Sequence, residues 1–294
     1  MKHSRLTADD RILPTIRILA IFVIPFLVVA SVILYVWPGE TGRLFAWPIK
    51  PPMTAMMLAA AYIGGIYYFA RVAAARSWHT IKGGMLPVTT FATLLGIATI
   101  MHWDRFTHGH VAFITWAGLY FTTPFLVSAA WLSNRRADPG VPEPDDLLLP
   151  VLGRWLMGAA GAITLAISLF LFFRPTLMVA VWPWTLSSLT ARVVGAMFAL
   201  PGILGLELAL DRRWSVARVM LEAQTLSLFA ILVAILRAWS DFNKAYLGTW
   251  LIVGGFFGLF LGLVALYLSV EAARTRQAAG QPVEKQPSYN VQPR

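Results

Sequence analysis

The chain contains no cysteine among its 294 residues, which excludes disulfide exchange, thiolate-ligated zinc, iron–sulfur clusters and palmitoylation. Charge is scarce as well, with Asp, Glu, Lys and Arg making up 13% of the chain, about half the usual share. Acidic residues are the rarer sign, 14 against 24 Lys and Arg. No phosphate-cradling G-x-x-x-x-G-K-[ST] loop, H-E-x-x-H helix, G-x-S-x-G elbow or G-x-G-x-x-G turn after a strand is found, and nucleotide-driven pumping is excluded for this chain alone. What is present in excess is apolar: 58% of residues are AVILMFWYC and the mean hydropathy is +0.67. A water-soluble core cannot hide that much apolar surface, so most of it must face lipid or other apolar helices.

Runs near 20 residues with few charges fall at about 15–36, 52–70, 84–103, 110–132, 150–173, 187–210, 216–239 and 246–270. In hydrocarbon each backbone N–H and C=O must be paired within its own segment, so these eight spans predict an all-α polytopic membrane protein. The basic residues then report topology. Seventeen of the 24 Lys and Arg lie on the side holding both chain ends, among them Lys2, Arg5, Arg71, Lys82, Arg213 and Arg274, and seven lie opposite. The bias predicts a multi-pass protein of the plasma (inner) membrane with both termini cytoplasmic, and no nucleic-acid partner. A cleavable signal peptide is not expected, because the first apolar stretch is too long for an h-region and lacks an A-x-A site. Ten of twelve tryptophans fall at span ends, where their rings favour the headgroup level; Trp116 and Trp250 lie inside spans.

Sliding the sequence against itself at an offset of 136 residues matches Pro14 with Pro150, Thr54-Ala55 with Thr190-Ala191, Trp78 with Trp214, Trp103 with Trp239 and Phe106 with Phe242. An offset of 134 sets Thr115-Trp116 on Thr249-Trp250. Four spans per copy keep both copies in one direction, which predicts two parallel four-helix repeats, 1–133 and 150–274, standing side by side about a pseudo-twofold along the membrane normal. A Pro- and acid-rich cytoplasmic linker, 134–149, joins them, and 275–294 reads as a disordered cytoplasmic tail. Helix-weakening residues pair between copies, Pro25 with Gly161, Gly65 with Pro201 and Pro124 with Gly258. Matched breaks point to a cavity, although Gly and Pro also serve close packing in membrane helices.

Three constellations could carry chemistry. Within the bilayer, Glu207 and Glu222 flank the turn at Trp214 at nearly matched depth, which predicts two neighbouring carboxylates. Gln224, Thr225 and Ser227, with Thr89, Thr90 and Thr93, would extend them into a polar lining for a proton or cation. The competing reading pairs the glutamates with Arg212, Arg213 or Arg218, and it leads because all lie near an arginine-rich boundary. On the opposite side, His102, Asp104, His108 and His110 crowd one short turn, a composition that could ligate a metal. Their spacing matches no known ligand signature, and a polar interfacial turn outweighs a metal site. Arg192 and Arg237 read as side chains snorkelling to headgroups.

No cofactor and no catalytic assignment follow from these residues. The leading expectation is a non-catalytic accessory, lipid-binding or assembly subunit with membrane lipids and other membrane subunits as partners. The alternative is a proton-coupled secondary transporter for a small solute, with its site between the repeats.

Overall fold

The computed structural model describes residues 9–143 and 146–279. Lys2 and Arg5 of the basic bias and the tail beyond residue 279 lie outside the described residues, as do Pro144 and Asp145 of the linker. The described chain is all-helical, and eight helices are long and apolar enough to cross a membrane. They are α1 (Pro14–Val36), α2 (Pro52–Ala74), α3 (Met85–Met101), α4 (Val111–Asn134), α5 (Val151–Phe173), α6 (Ser188–Leu210), α7 (Trp214–Arg237) and α8 (Leu247–Ala278). Local chemistry sets several starts. Pro14 and Pro52 occupy first-turn positions where a missing N–H costs nothing, and Ser187 with Thr190 closes a reciprocal capping box at α6. The last helix runs three residues past the expected onset of the tail, to Ala278.

One face gathers the segment before α1, the α2–α3 and α6–α7 loops, the linker and the end of α8; we call it the linker face. Arg11 bridges Ser77 there, Leu148 bridges Arg213, and Trp214 Nε1 donates to Glu271 at 2.9 Å. Both described chain ends therefore lie on one side of the helix bundle. The opposite face carries two irregular segments with short helices, Thr41–Leu44 and Pro175–Val181.

The helices do not form two separate four-helix bundles standing side by side. Sequential neighbours pair as hairpins, α1 with α2, α3 with α4, α5 with α6 and α7 with α8, but the centre interleaves the halves: α2 packs along α7, and α3 packs along α6. Glycine permits the tightest crossing. A Cβ on Gly205 would sit 2.5 Å from the Met157 carbonyl oxygen and 2.8 Å from Gly161 Cα, so α5 and α6 touch backbone to backbone. The tryptophans depart from a simple headgroup belt. Trp47, Trp78, Trp182, Trp184 and Trp214 are buried, tucked under the loops that cap the bundle, while Trp37, Trp103 and Trp155 are exposed.

Candidate functional site

The densest polar structure lies on the linker face. The Arg213 guanidinium, buried at 4% exposure, grips Asp138 of the linker through NH1 at 2.7 Å and NH2 at 2.8 Å, and also holds Asp211 at 2.6 Å. Lys82 Nζ, from the loop before α3, bridges the same two carboxylates at 2.5 Å and 2.9 Å. Two cations and two anions thus tie the linker to both interhelical loops. Burial pushes Asp211 up, but hydrogen bonds from Arg213 and Lys82 outweigh it and hold its carboxyl at about 2. Asp138 is brought below the ordinary carboxylate range, again with burial opposing and Arg213 and Lys82 winning, and Asp138 in turn raises Arg213.

Glu207 and Glu222 are not brought together. Glu222 accepts from Tyr67 and Arg71 of α2, from Arg218 one turn earlier on α7 at 3.2 Å, and from the Tyr267 hydroxyl of α8 at 2.9 Å. It is a knot joining three helices, with its charge matched by two arginines. Glu207 projects from α6 into a cavity of about 560 Å³ on the linker face, whose wall includes Lys82, Asp138, Asp211 and Trp131. Its Oε2 is buried and accepts no hydrogen bond.

The expected polar lining is mostly absent from the voids. Gln224 and Ser227 reach a narrow midplane space of about 100 Å³, together with Tyr62, Tyr68, Pro87 and Tyr120. Thr93 donates back to the Thr89 carbonyl at 2.8 Å, the Thr89 hydroxyl is buried without a partner, and Thr90 and Thr225 line none of these spaces. The helices run unbroken through Pro25, Gly65, Pro124, Gly161, Pro201 and Gly258. Gly65 lines the midplane void, while Gly161, Pro201 and Gly258 line a larger apolar groove of about 720 Å³ between the α5–α6 pair and α8. Pro25 is exposed, and Pro124 is half-buried on α4.

On the far face the outer-turn residues turn away from one another. His102 Nε2 meets Arg192 NH1 at 2.7 Å, His110 Nδ1 caps α4 by accepting from Ala112 N, and His108 packs on Trp103 and Phe113. Asp104 pairs with Arg105 in solvent at 3.4 Å. Burial, and then the Arg192 charge, hold His102 below its ordinary value, so a neutral imidazole accepts from Arg192. Arg237 NH1 donates to the Tyr35 carbonyl at 2.6 Å.

Among the described residues, one group of His and carboxylate ligand atoms converges closely enough to hold a metal ion: Asp10, His79 and Glu143. Sequence reasoning passed over these three, and over Lys82, Asp138, Asp211 and Tyr67 as site residues, because the contacts that gather them, apart from Asp211 with Arg213 and Tyr67 with Arg71, span 56 or more positions of chain. The offset did carry a signal, since it also places Asp10 on Asp146. Comparison with known protein families, with characterised proteins and with solved structures finds no match for this chain.

Proposed function

We propose that this is a non-catalytic membrane protein that acts through its helix surfaces, binding lipid and docking against other membrane subunits. The observation that carries the reading is the contrast between interior and surface. The midplane void is about 100 Å³ and lined mainly by apolar groups, and Glu222 is consumed by Tyr67, Arg71, Arg218 and Tyr267. The groove beside α8 is about 720 Å³, runs from Pro150 and Ser269 at the linker face to Leu228, and is walled by small and aliphatic residues. An acyl chain fits such a wall, and no polar group on it has to be desolvated beyond Thr164, Gln224 and Ser269.

In this reading the chain sits in the plasma (inner) membrane with both termini cytoplasmic, as the Lys and Arg bias supports. It is built from two parallel four-helix repeats, 1–133 and 150–274, joined by the linker 134–149. Matched contacts support the duplication. Trp78 N donates to Asp10 O and Trp214 N to Leu147 O, both at 2.9 Å; Thr107 N donates to Ala46 O and Asn243 N to Pro183 O, again both at 2.9 Å. The α2–α7 and α3–α6 pairings also exchange under the same correspondence.

The test is native mass spectrometry of the protein purified in mild detergent. Stoichiometric phospholipid should be retained, and should be lost when Gly258→Phe and Gly262→Phe fill the groove. The second reading, a proton-coupled carrier, draws on Glu207, whose unpaired oxygen adjoins a cavity open to the linker face. A gradient-driven flux in reconstituted vesicles that Glu207→Gln abolishes would replace the first reading with the second.

A further inference from the structure

Three segments distant in sequence meet at the linker face: the stretch before α1 brings Asp10, the α2–α3 loop brings His79 and the linker brings Glu143. The ligand atoms of the three residues lie within 4.8 Å of one another. The two ring nitrogens of His79 have different surroundings. Nδ1 is 2.5 Å from Asp10 Oδ2, within hydrogen-bond reach, and Nε2 is 4.0 Å from Glu143 Oε1, beyond it. A proton on Nδ1 leaves the Nε2 lone pair facing a carboxylate across a gap, the arrangement in which a carboxylate orients a metal-binding imidazole.

The gap has the right scale. Metal–ligand bonds of about 2.0–2.2 Å at a tetrahedral angle separate two ligand atoms by about 3.4 Å. Glu143 therefore needs to move about 0.6 Å, and its side chain is 63% exposed on an irregular segment. The imidazole is buried, at 3% exposure, so its orientation is set by packing. His79 and Glu143 both border a cavity of about 680 Å³, which leaves room for water at the remaining coordination positions.

A structural role accounts for Asp10 but not for the imidazole. Asp10 Oδ1 accepts from His79 N at 3.0 Å, pinning the loop. At the position 136 residues on, Asp146 does the same work with a serine: it accepts from Ser215 N at 3.0 Å and from the Ser215 hydroxyl at 2.6 Å. A hydroxyl is enough for the pin. The ring at position 79 adds a second nitrogen and places it opposite Glu143.

We propose that His79 and Glu143, with Asp10 orienting the imidazole, form a binding site for a borderline divalent metal ion of the zinc class on the linker face. Imidazole with carboxylate is a donor set that suits such ions and disfavours magnesium. The site is independent of whether the protein carries lipid or solute.

The test is isothermal titration of zinc into the full chain in detergent after chelator treatment, at pH 7.5, with magnesium as the comparison. The expected result is one zinc per chain, with at least tenfold weaker binding in His79→Ser and in Glu143→Gln, and unchanged binding in His108→Ala. His79→Ser copies the Ser215 arrangement and is expected to keep the metal-free melting temperature. Glu143→Gln, on an exposed side chain, decides the matter should His79→Ser fail to fold. Absence of stoichiometric zinc, or zinc binding indifferent to Glu143→Gln, overturns the site and leaves His79 as a structural contact.

Discussion

The two halves of the molecule begin from similar sequence and finish differently packed. In the first half α4 leans against α1 and the space among the helices shrinks to about 100 Å³. In the second, α5 and α8 meet at Gly153 and Leu266, and a groove of about 720 Å³ remains between them. The residues account for it. Phe69 of the first half falls on Gly205 at the 136 offset, so a bulky ring lining one space is replaced by a glycine lining the other. The paired tryptophans diverge for a related reason. Trp116 is buried and donates to the Thr99 hydroxyl at 2.9 Å, but the residue 136 positions after Thr99 is Ile235, which accepts nothing. Trp250 is 54% exposed and donates instead to the Lys244 carbonyl at 3.1 Å. The lost acceptor accompanies the move of the indole from the core to the surface, and a buried N–H without a partner costs about 1–3 kcal/mol, although Trp47, Trp78 and Trp182 stay buried with unpartnered indole nitrogens.

The largest effect expected is at the hub common to both halves. Arg213→Ala leaves Lys82 as the one cation shared by the buried Asp138 and Asp211 and should destabilise the protein by about 3 kcal/mol, read as a lower melting temperature in detergent. A loss within the noise of a surface substitution would break the view that linker and loops are held as one unit. Next comes the tryptophan pair. Trp116→Phe should cost about 1–3 kcal/mol and Trp250→Phe less than about 0.5, so equal losses would erase the contrast between halves. Ile235→Thr sharpens it: supplied with an acceptor, Trp250 should become less accessible to a fluorescence quencher.

The smallest effects are set by pH and separate the two faces. His102 titrates below its ordinary value, so its contribution is present above about 6.5 and is lost as pH falls below that toward the folded-state value. Asp211, held at about 2, contributes above its unfolded value near 3.8 and loses that only as pH falls toward 2. The melting temperature of the wild type should therefore fall relative to that of His102→Gln as pH goes from 7.5 to 5, with the Asp211 contribution unchanged over that range.

Eight spans were legible in the sequence because lipid imposes a length and a composition on each helix independently of its neighbours. Arg218 and Glu222 were legible as a pair because four residues along a helix is a contact by geometry alone. The supposed neighbourhood of Glu207 and Glu222 failed for the opposite reason. Equal depth on adjacent helices says nothing about azimuth, and α6 turns Glu207 toward Lys82 while α7 turns Glu222 toward α2 and α8.

Hydrophobicity, helical period and the distribution of basic residues are local properties, and from them alone follow the helical class, the number of crossings and the expectation of chain ends on one side. Which helix lies against which was decided only in three dimensions. Interleaving α2 with α7 and α3 with α6, opening the groove at α8 and gathering Asp10, His79 and Glu143 all depend on side-chain volumes and hydrogen-bond partners meeting across more than 50 residues of chain. In an apolar solvent the drive to bury hydrophobic surface no longer ranks one helix pairing above another, so close fit and satisfied polar groups make that choice.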